Sequence, residues 1–200
     1  HWMNKPMFIR YCGNWLVRRT RAEAFWQDFM IKHSGKNLLG LATGGTDSPP
    51  SEVNKNIQWI FSTSLTENEL KQYAKVKKDY QREKDRIDLV TVGRQIKSKG
   101  IELCLQAVAN LKNEYSIKYH IIGDGPDLEY FQKVAKKLGL KDEVSFHGKL
   151  NNTEVLRMLL SSDIFLFPSE SEGFPKAVLE ALACGLPVIC SDASVLPKMV

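Results

Sequence analysis

Apolar and polar positions alternate differently in the two halves of the chain. Before residue 66 the apolar runs are sparse: Met7–Tyr11, Leu38–Ala42 and Ile57–Ser62 each have strand length. Between them, Arg21–Lys32 spaces its apolar positions as a helix does, with Phe25, Trp26, Phe29 and Met30 as the expected buried face. Gly44–Pro50, GGTDSPP, has the composition of a loop. Three strands and one helix make a thin core, so residues 1–66 are expected to be part of an α/β lobe. Thr66-Glu67-Asn68-Glu69 then carries a capping residue and early acids, the signature of a helix start. The helix it predicts runs through alternating charges to Lys84, making 67–86 a linker.

From Ile87 the pattern is cleaner. Ile87–Val92, Ile117–Ile122, Val144–His147, Asp163–Phe167 and Pro187–Cys190 read as buried strands. Helices are expected between them. Gly100–Leu111 places Ile101, Cys104, Leu105, Val108 and Leu111 on one face; another helix ends near Leu138, and Thr153–Leu160 forms a third. A fourth starts near Pro175, carries Ala177, Val178, Ala181 and Leu182 as its stripe, and is ended by Gly185. Strands and helices alternating at these spacings predict parallel βαβ units in a doubly wound, Rossmann-like sheet over 87–200.

Composition narrows the classes. No apolar run approaches the ~18 residues of a membrane helix, and the N-terminus lacks signal-peptide architecture, which makes a cytoplasmic location the expectation. Cys12, Cys104, Cys184 and Cys190 form no C-x-x-C pair and are expected to be buried, reduced thiols. Much of the net charge of +5 sits between Lys71 and Arg86. That run reads first as a solvated helix face, and it also admits a peripheral contact with anionic lipid on the inner membrane face. Nothing resembles a nucleic-acid reader. The four histidines have no metal-ligand spacing, and His120, inside a strand, reads as structural.

Glu172 and Glu180 frame the last helix with seven residues between them. One carboxylate precedes the helix, so the two cannot form an acid/base pair on one helix face. At about 1.5 Å per residue, Glu180 lies ~7–8 Å along the axis from Pro175. From there it can hold a diol while the free N–H groups of Lys176 and Ala177, at the positive end of the helix dipole, hold a phosphate. As a bare pair, the glutamates read equally well as solvated residues.

Their frame is more specific. Residues 163–189, D-I-F-L-F-P-S-x-x-E-G-F-P-x-A-x-L-E-A-L-A-x-G-x-P-V-I, resemble the signature of retaining, two-domain nucleotide-sugar glycosyltransferases of the GT-B fold, family 4, glycosyltransferase group 1. Gly93-Arg94 with Lys99-Gly100 resembles the family's G-R-x4-K-G, Gly123-Asp124-Gly125-Pro126 its G-x-G-P turn, and Val144–Gly148 its strand beside the nucleobase. The resemblance covers Asp88–Val200 well. It implies the end of an N-terminal, acceptor-side lobe followed by most of a donor-binding domain.

By this resemblance Arg94 and Lys99 bind the donor diphosphate. Many members carry Gly where this chain has Pro175, which leaves the helix-start contacts to Lys176 and Ala177. Glu180 would take the ribose hydroxyls. Glu172, with Gly173 and Phe174, would orient the donor sugar, in a binding or a catalytic role. His147, Gly148, Lys149 and Leu150 would border the base. Two cations beside a leaving diphosphate stabilise the charge that grows there. No Asp-x-Asp pair occurs, so neither a metal nor another cofactor is expected beyond the nucleotide-sugar substrate. The implied reaction moves a hexose from a nucleoside diphosphate to a hydroxyl of a saccharide or lipid-linked acceptor. The alternative is a non-catalytic nucleotide-sugar-binding or interaction module of the same fold. A dinucleotide oxidoreductase is disfavoured, because Gly123-Asp124-Gly125-Pro126-Asp127-Leu128 lacks the third glycine of G-x-G-x-x-G.

Overall fold

The computed structural model describes every residue except 1–4, 14, 16–17, 19, 44–47, 61–64, 69, 72 and 74–84. It divides into two compact units. One takes in His1–Thr63, Ser171–Pro175 and Asp192–Val200; the other takes in Ser64–Glu170 and Lys176–Ser191. Most of the predicted linker helix and its charge run fall outside the described residues, as do Phe61 and Ser62 of the third predicted strand.

The first unit holds a parallel sheet of β1 (Met7–Tyr11), β2 (Leu38–Thr43) and β3 (Ile57–Ile60) in that order, with Met7 opposite Leu38 and Gly40 opposite Ile57. Helix α1 (Arg21–His33) starts with a capping box. Thr20 Oγ1 accepts from the Glu23 amide, and Glu23 Oε2 accepts from the Thr20 amide, each at 3.1 Å. The buried face of α1 differs from the expected one. Gln27 and Met30 point inward, while Phe25 and Trp26 are 61% and 51% exposed and pack edge-on against each other. The Gln27 amide satisfies the Tyr11 hydroxyl at 3.0 Å and accepts from Arg18 Nε at 3.0 Å. A polar side chain with both ends bonded can thus occupy a place that apolar periodicity assigns to an aromatic.

The second unit contains β4 (Ile87–Val92), α2 (Ile101–Leu111), β5 (Ile117–Ile122), α3 (Leu128–Lys137), β6 (Val144–Gly148), α4 (Asn152–Ser161), β7 (Ile164–Phe167), α5 (Lys176–Ala183) and β8 (Val188–Cys190). Its five strands are all parallel, in the order β6-β5-β4-β7-β8. Leu89, Ile117, Tyr119 and Ile121 form the main core with Cys104, Leu105 and Val108 of α2 and Phe131 and Ala135 of α3. Strand residues of opposite parity face the other way, and Val92 lines a cleft with Val155, Leu156 and Leu159 of α4. Leu111, expected in the core, is 42% exposed: with Leu103, Tyr115, Ile164 and Ile189 it lines an open apolar groove of ≈ 670 Å³.

One polar chain crosses that core. Thr91 Oγ1 donates to the Leu166 carbonyl at 2.8 Å, so its contact of 2.7 Å with Tyr119 makes the tyrosine the donor. Three adjacent strands are tied together by two side chains. Burial pushes the Tyr119 hydroxyl well above its ordinary pKa and the Cys104 thiol up to about 11. Cys104 and Cys184 are buried as expected; Cys12 is exposed. No described helix is long and apolar enough to cross a membrane.

Candidate donor site

The order of strands places a topological switch between β4 and β7: the chain leaves β4 for β5 on one side and later returns to β7 on the other. In open parallel sheets, ligands bind beyond the C-terminal strand ends at such a point. The predicted cations emerge there. β4 ends at Val92 and runs directly into Gly93-Arg94, and the Arg94 side chain is exposed. Lys97–Lys99 then form a 3-10 turn that Gly100 ends at φ 70°.

Gly100 has two reasons to be glycine. Its φ lies in the left-handed region, and a Cβ would stand 2.2 Å from the Pro168 carbonyl oxygen. This close approach joins the β4 loop to the end of β7. The Glu170 amide and the Ser169 hydroxyl both donate to the Ser98 carbonyl, at 2.9 and 3.3 Å, and Ser191 Oγ donates to the Ser169 carbonyl.

The turn also separates two lysines that charge alone could not. Lys99 Nζ lies 5.3 Å from the ring centre of Phe167, the last residue of β7. Lys97 Nζ lies 4.6 Å from the Tyr130 ring on α3, whose hydroxyl donates to Glu102. Lys99 therefore lies toward the end of β7, while Lys97 is drawn toward α3.

Helix α5 begins at Lys176, which is exposed, followed by half-buried Ala177; Pro175 precedes the helix rather than opening it. Glu180, one turn further on and half-buried, lines a cleft of ≈ 200 Å³ with Val92, Tyr73, Asn152 and Val155. On the other side of β4, β6 ends at Gly148, whose carbonyl accepts from the Gly123 amide at 2.8 Å. Lys149 is exposed and Leu150 half-buried, leading to the Asn151 cap of α4.

His147 is engaged with the sheet. Its Nε2 stands 3.0 Å from His120 Nδ1, and His120 Nε2 stands 3.4 Å from Asp88 Oδ1. An ionised carboxylate only accepts, so His120 carries its proton on Nε2 and a neutral His120 accepts at Nδ1. His147 is then the donor in that contact. Burial, chiefly, holds both imidazoles below the ordinary histidine pKa; the Lys118 charge adds to this in both, and the Asp88 hydrogen bond opposes it in His120.

Glu172, Gly173 and Phe174 belong to the first unit. The Glu172 amide donates to Ser194 Oγ at 3.2 Å, and Ser194 is held at φ 57°, unusual for a residue with a Cβ. A Cβ on Gly173 would lie 2.9 Å from Thr43 Oγ1. Ser194 lies outside the motifs, and Ser169 stands in the 163–189 pattern without an assigned role. Each acts through local hydrogen bonds and backbone geometry, which leave no periodic signal in the sequence.

The comparisons agree with this architecture. The chain is 31% identical over 148 residues to N-acetyl-alpha-D-glucosaminyl L-malate synthase of Bacillus anthracis, covering 74% of this chain and 38% of that one. It is 39% identical over 103 residues to the putative teichuronic acid biosynthesis glycosyltransferase TuaC of Bacillus subtilis, covering 52% and 24%. The chain thus spans well under half the length of these curated relatives. Among solved structures, Anabaena HepE in complex with UDP and glucose superposes with a TM-score of 0.73 over 98% of this chain and 55% of that one, at 16% identity. The fold is of the GT-B type. The family model for glycosyl transferases group 1 matches residues 52–200, which include Arg94, Lys99, Glu172 and Glu180, and the chain belongs to that family.

Proposed function

We propose that the protein is a retaining glycosyltransferase of family 4 that moves a hexose from a nucleoside diphosphate to an acceptor hydroxyl, and that this chain supplies chiefly the donor site. The observation that supports this reading is that Arg94 follows the strand end at the switch point of a parallel sheet, while Lys99 lies on the loop whose backbone is bonded to the segment after β7. In the proposed mechanism the two cations bind the diphosphate and stabilise the charge that develops as the glycosidic bond breaks. The amides of Lys176 and Ala177 add a helix N-terminus to the same phosphates. Glu180 accepts from the ribose hydroxyls. Glu172 orients the donor sugar. Fixed side-chain cations take the place that a divalent metal has in other transferases, so the proposed reaction needs none. One relative is named as an L-malate synthase and another for teichuronic acid biosynthesis, which makes L-malate and saccharides the acceptors to try, and UDP, bound by the Anabaena neighbour, is the first nucleotide to test.

Calorimetric titration of the intact protein with UDP, GDP and ADP in EDTA tests this directly. Saturable binding of one nucleotide is expected, weakened at least about tenfold in Arg94→Ala, because losing a charge-assisted contact costs ~1.5–3 kcal/mol. No binding by folded protein would refute the donor site. Binding without transfer or donor hydrolysis would point to the non-catalytic module instead.

A further inference from the structure

Between the two cations lies a residue that the glycosyltransferase motif leaves unspecified. Gln95 is fully buried, although Arg94 before it and Lys97 after it are exposed. Its Nε2 donates to the Gly93 carbonyl at 3.1 Å. Its Oε1 is enclosed and has no hydrogen-bond partner among the described residues. Its main chain is bonded at both ends to the β5 loop: the amide donates to the Asp124 carbonyl at 2.9 Å, and the carbonyl accepts from the Asp127 amide at 3.1 Å.

The two glycines of the β5 turn fit around these groups. A Cβ on Gly123 would lie 1.9 Å from the Gly93 carbonyl oxygen, and one on Gly125 would lie 2.4 Å from the Gln95 carbonyl oxygen. The Gly93 carbonyl, and with it the peptide plane to Arg94, thus lies against Gly123 on one side and accepts from the Gln95 amide on the other. That plane sets where the Arg94 side chain leaves the backbone.

A buried acceptor without a donor is destabilising, and an apolar side chain of similar length would fill the space without it. Packing alone does not account for glutamine here. The amide N–H group that comes with the unpaired oxygen does. We infer that Gln95 is a positioning residue: it holds the Gly93 carbonyl, and through it directs Arg94 at the donor diphosphate, at a cost in stability. This inference rests on the donor-site reading above.

The test uses Gln95→Leu and Gln95→Met in the intact protein, alone and combined with Arg94→Ala. It reads melting temperature and the affinity for UDP, GDP and ADP. Each single variant removes one unpaired acceptor, Gln95 Oε1, and frees another, the Gly93 carbonyl, so it is expected to melt close to the parent while binding nucleotide about tenfold more weakly. In the Arg94→Ala background the same changes should have no further effect on binding, because Gln95 acts through Arg94. Four results overturn the inference: unchanged affinity in both variants; affinity and melting temperature falling together; a further loss of affinity in the Arg94→Ala background; or failure of both variants to fold, which would make Gln95 a packing residue. Absence of nucleotide binding by the folded parent would instead refute the donor-site reading, and this inference with it.

Discussion

Gly100→Ala should be among the most damaging single-methyl additions in the second unit, and Gly148→Ala is its control. The two glycines have nearly the same φ, 70° and 64°. A Cβ in that region costs about 1–2 kcal/mol at either position. Their surroundings differ. At Gly148 the new methyl would meet nothing within 4 Å, so the conformational cost is the whole cost. At Gly100 it would stand 2.2 Å from the Pro168 oxygen and 2.9 Å from Pro168 Cγ. An ordinary C···O contact is about 3.3 Å, so the two segments must part by roughly 1 Å. That displacement would break the bonds from the Glu170 amide and the Ser169 hydroxyl to the Ser98 carbonyl. At about 1 kcal/mol each, their loss brings Gly100→Ala to ~3–4 kcal/mol. For a chain of this size, that corresponds to a melting temperature lower by ~6–16 °C, against about 2–8 °C for the control. Urea titration and thermal melting of both variants measure the difference. Equal destabilisation would show that the β4 and β7 loops do not approach as described, and would undercut the placement of Lys99 with them.

The core hydroxyl chain gives a second, non-additive case. Tyr119→Phe removes a donor and leaves Thr91 bonded to Leu166, for a loss of about 1 kcal/mol. Thr91→Val leaves the buried Tyr119 hydroxyl without its oxygen partner and should cost ~2–3 kcal/mol. The double variant should then be less destabilised than the sum of the singles, and strict additivity in urea titrations would refute the chain. The histidine pair sets a pH dependence. Both imidazoles lie below the ordinary value in the fold, so the unfolded chain takes up protons first. Stability should be constant above the unfolded histidine pKa of about 6.5, fall as the pH drops through it, and level off below the folded values. Urea midpoints between pH 7.5 and 5 should show this fall, and it should shrink in His120→Gln; an equal fall in that variant would place the origin elsewhere.

Period and spacing in the sequence were enough to read the five strands and four helices after Ile87, because a sheet buried on both faces turns strands into continuous apolar runs. The candidate cations were legible for a related reason: a strand that ends in Gly-Arg must present the arginine at the sheet's C-terminal edge. What was illegible depended on partners. Gln27 is buried because Tyr11 and Arg18 satisfy it, and both lie outside the helix whose periodicity is read, Tyr11 on another element altogether. The burial of Gln95 and the exposure of Phe25 are likewise set by elements that local periodicity does not see.

Lys97 and Lys99 show how far a motif reaches before geometry is needed. Both belong to one basic loop, and their formal charge is the same. What separates them lies in neither lysine: Gly100 permits the close approach to Pro168, beside Phe167, over whose ring Lys99 lies. Cation–π contact with Tyr130 takes Lys97 the other way. The proposed donor site is thus specified less by its charged residues than by the uncharged ones that determine how closely two loops can meet. Gly100, Gly123 and Gly125 supply the room, and Gln95, Ser98 and Ser169 supply the bonds that use it. A binding loop held chiefly by backbone hydrogen bonds needs little reorganisation when a diphosphate arrives, and such preorganisation is what makes fixed cations effective at a leaving group.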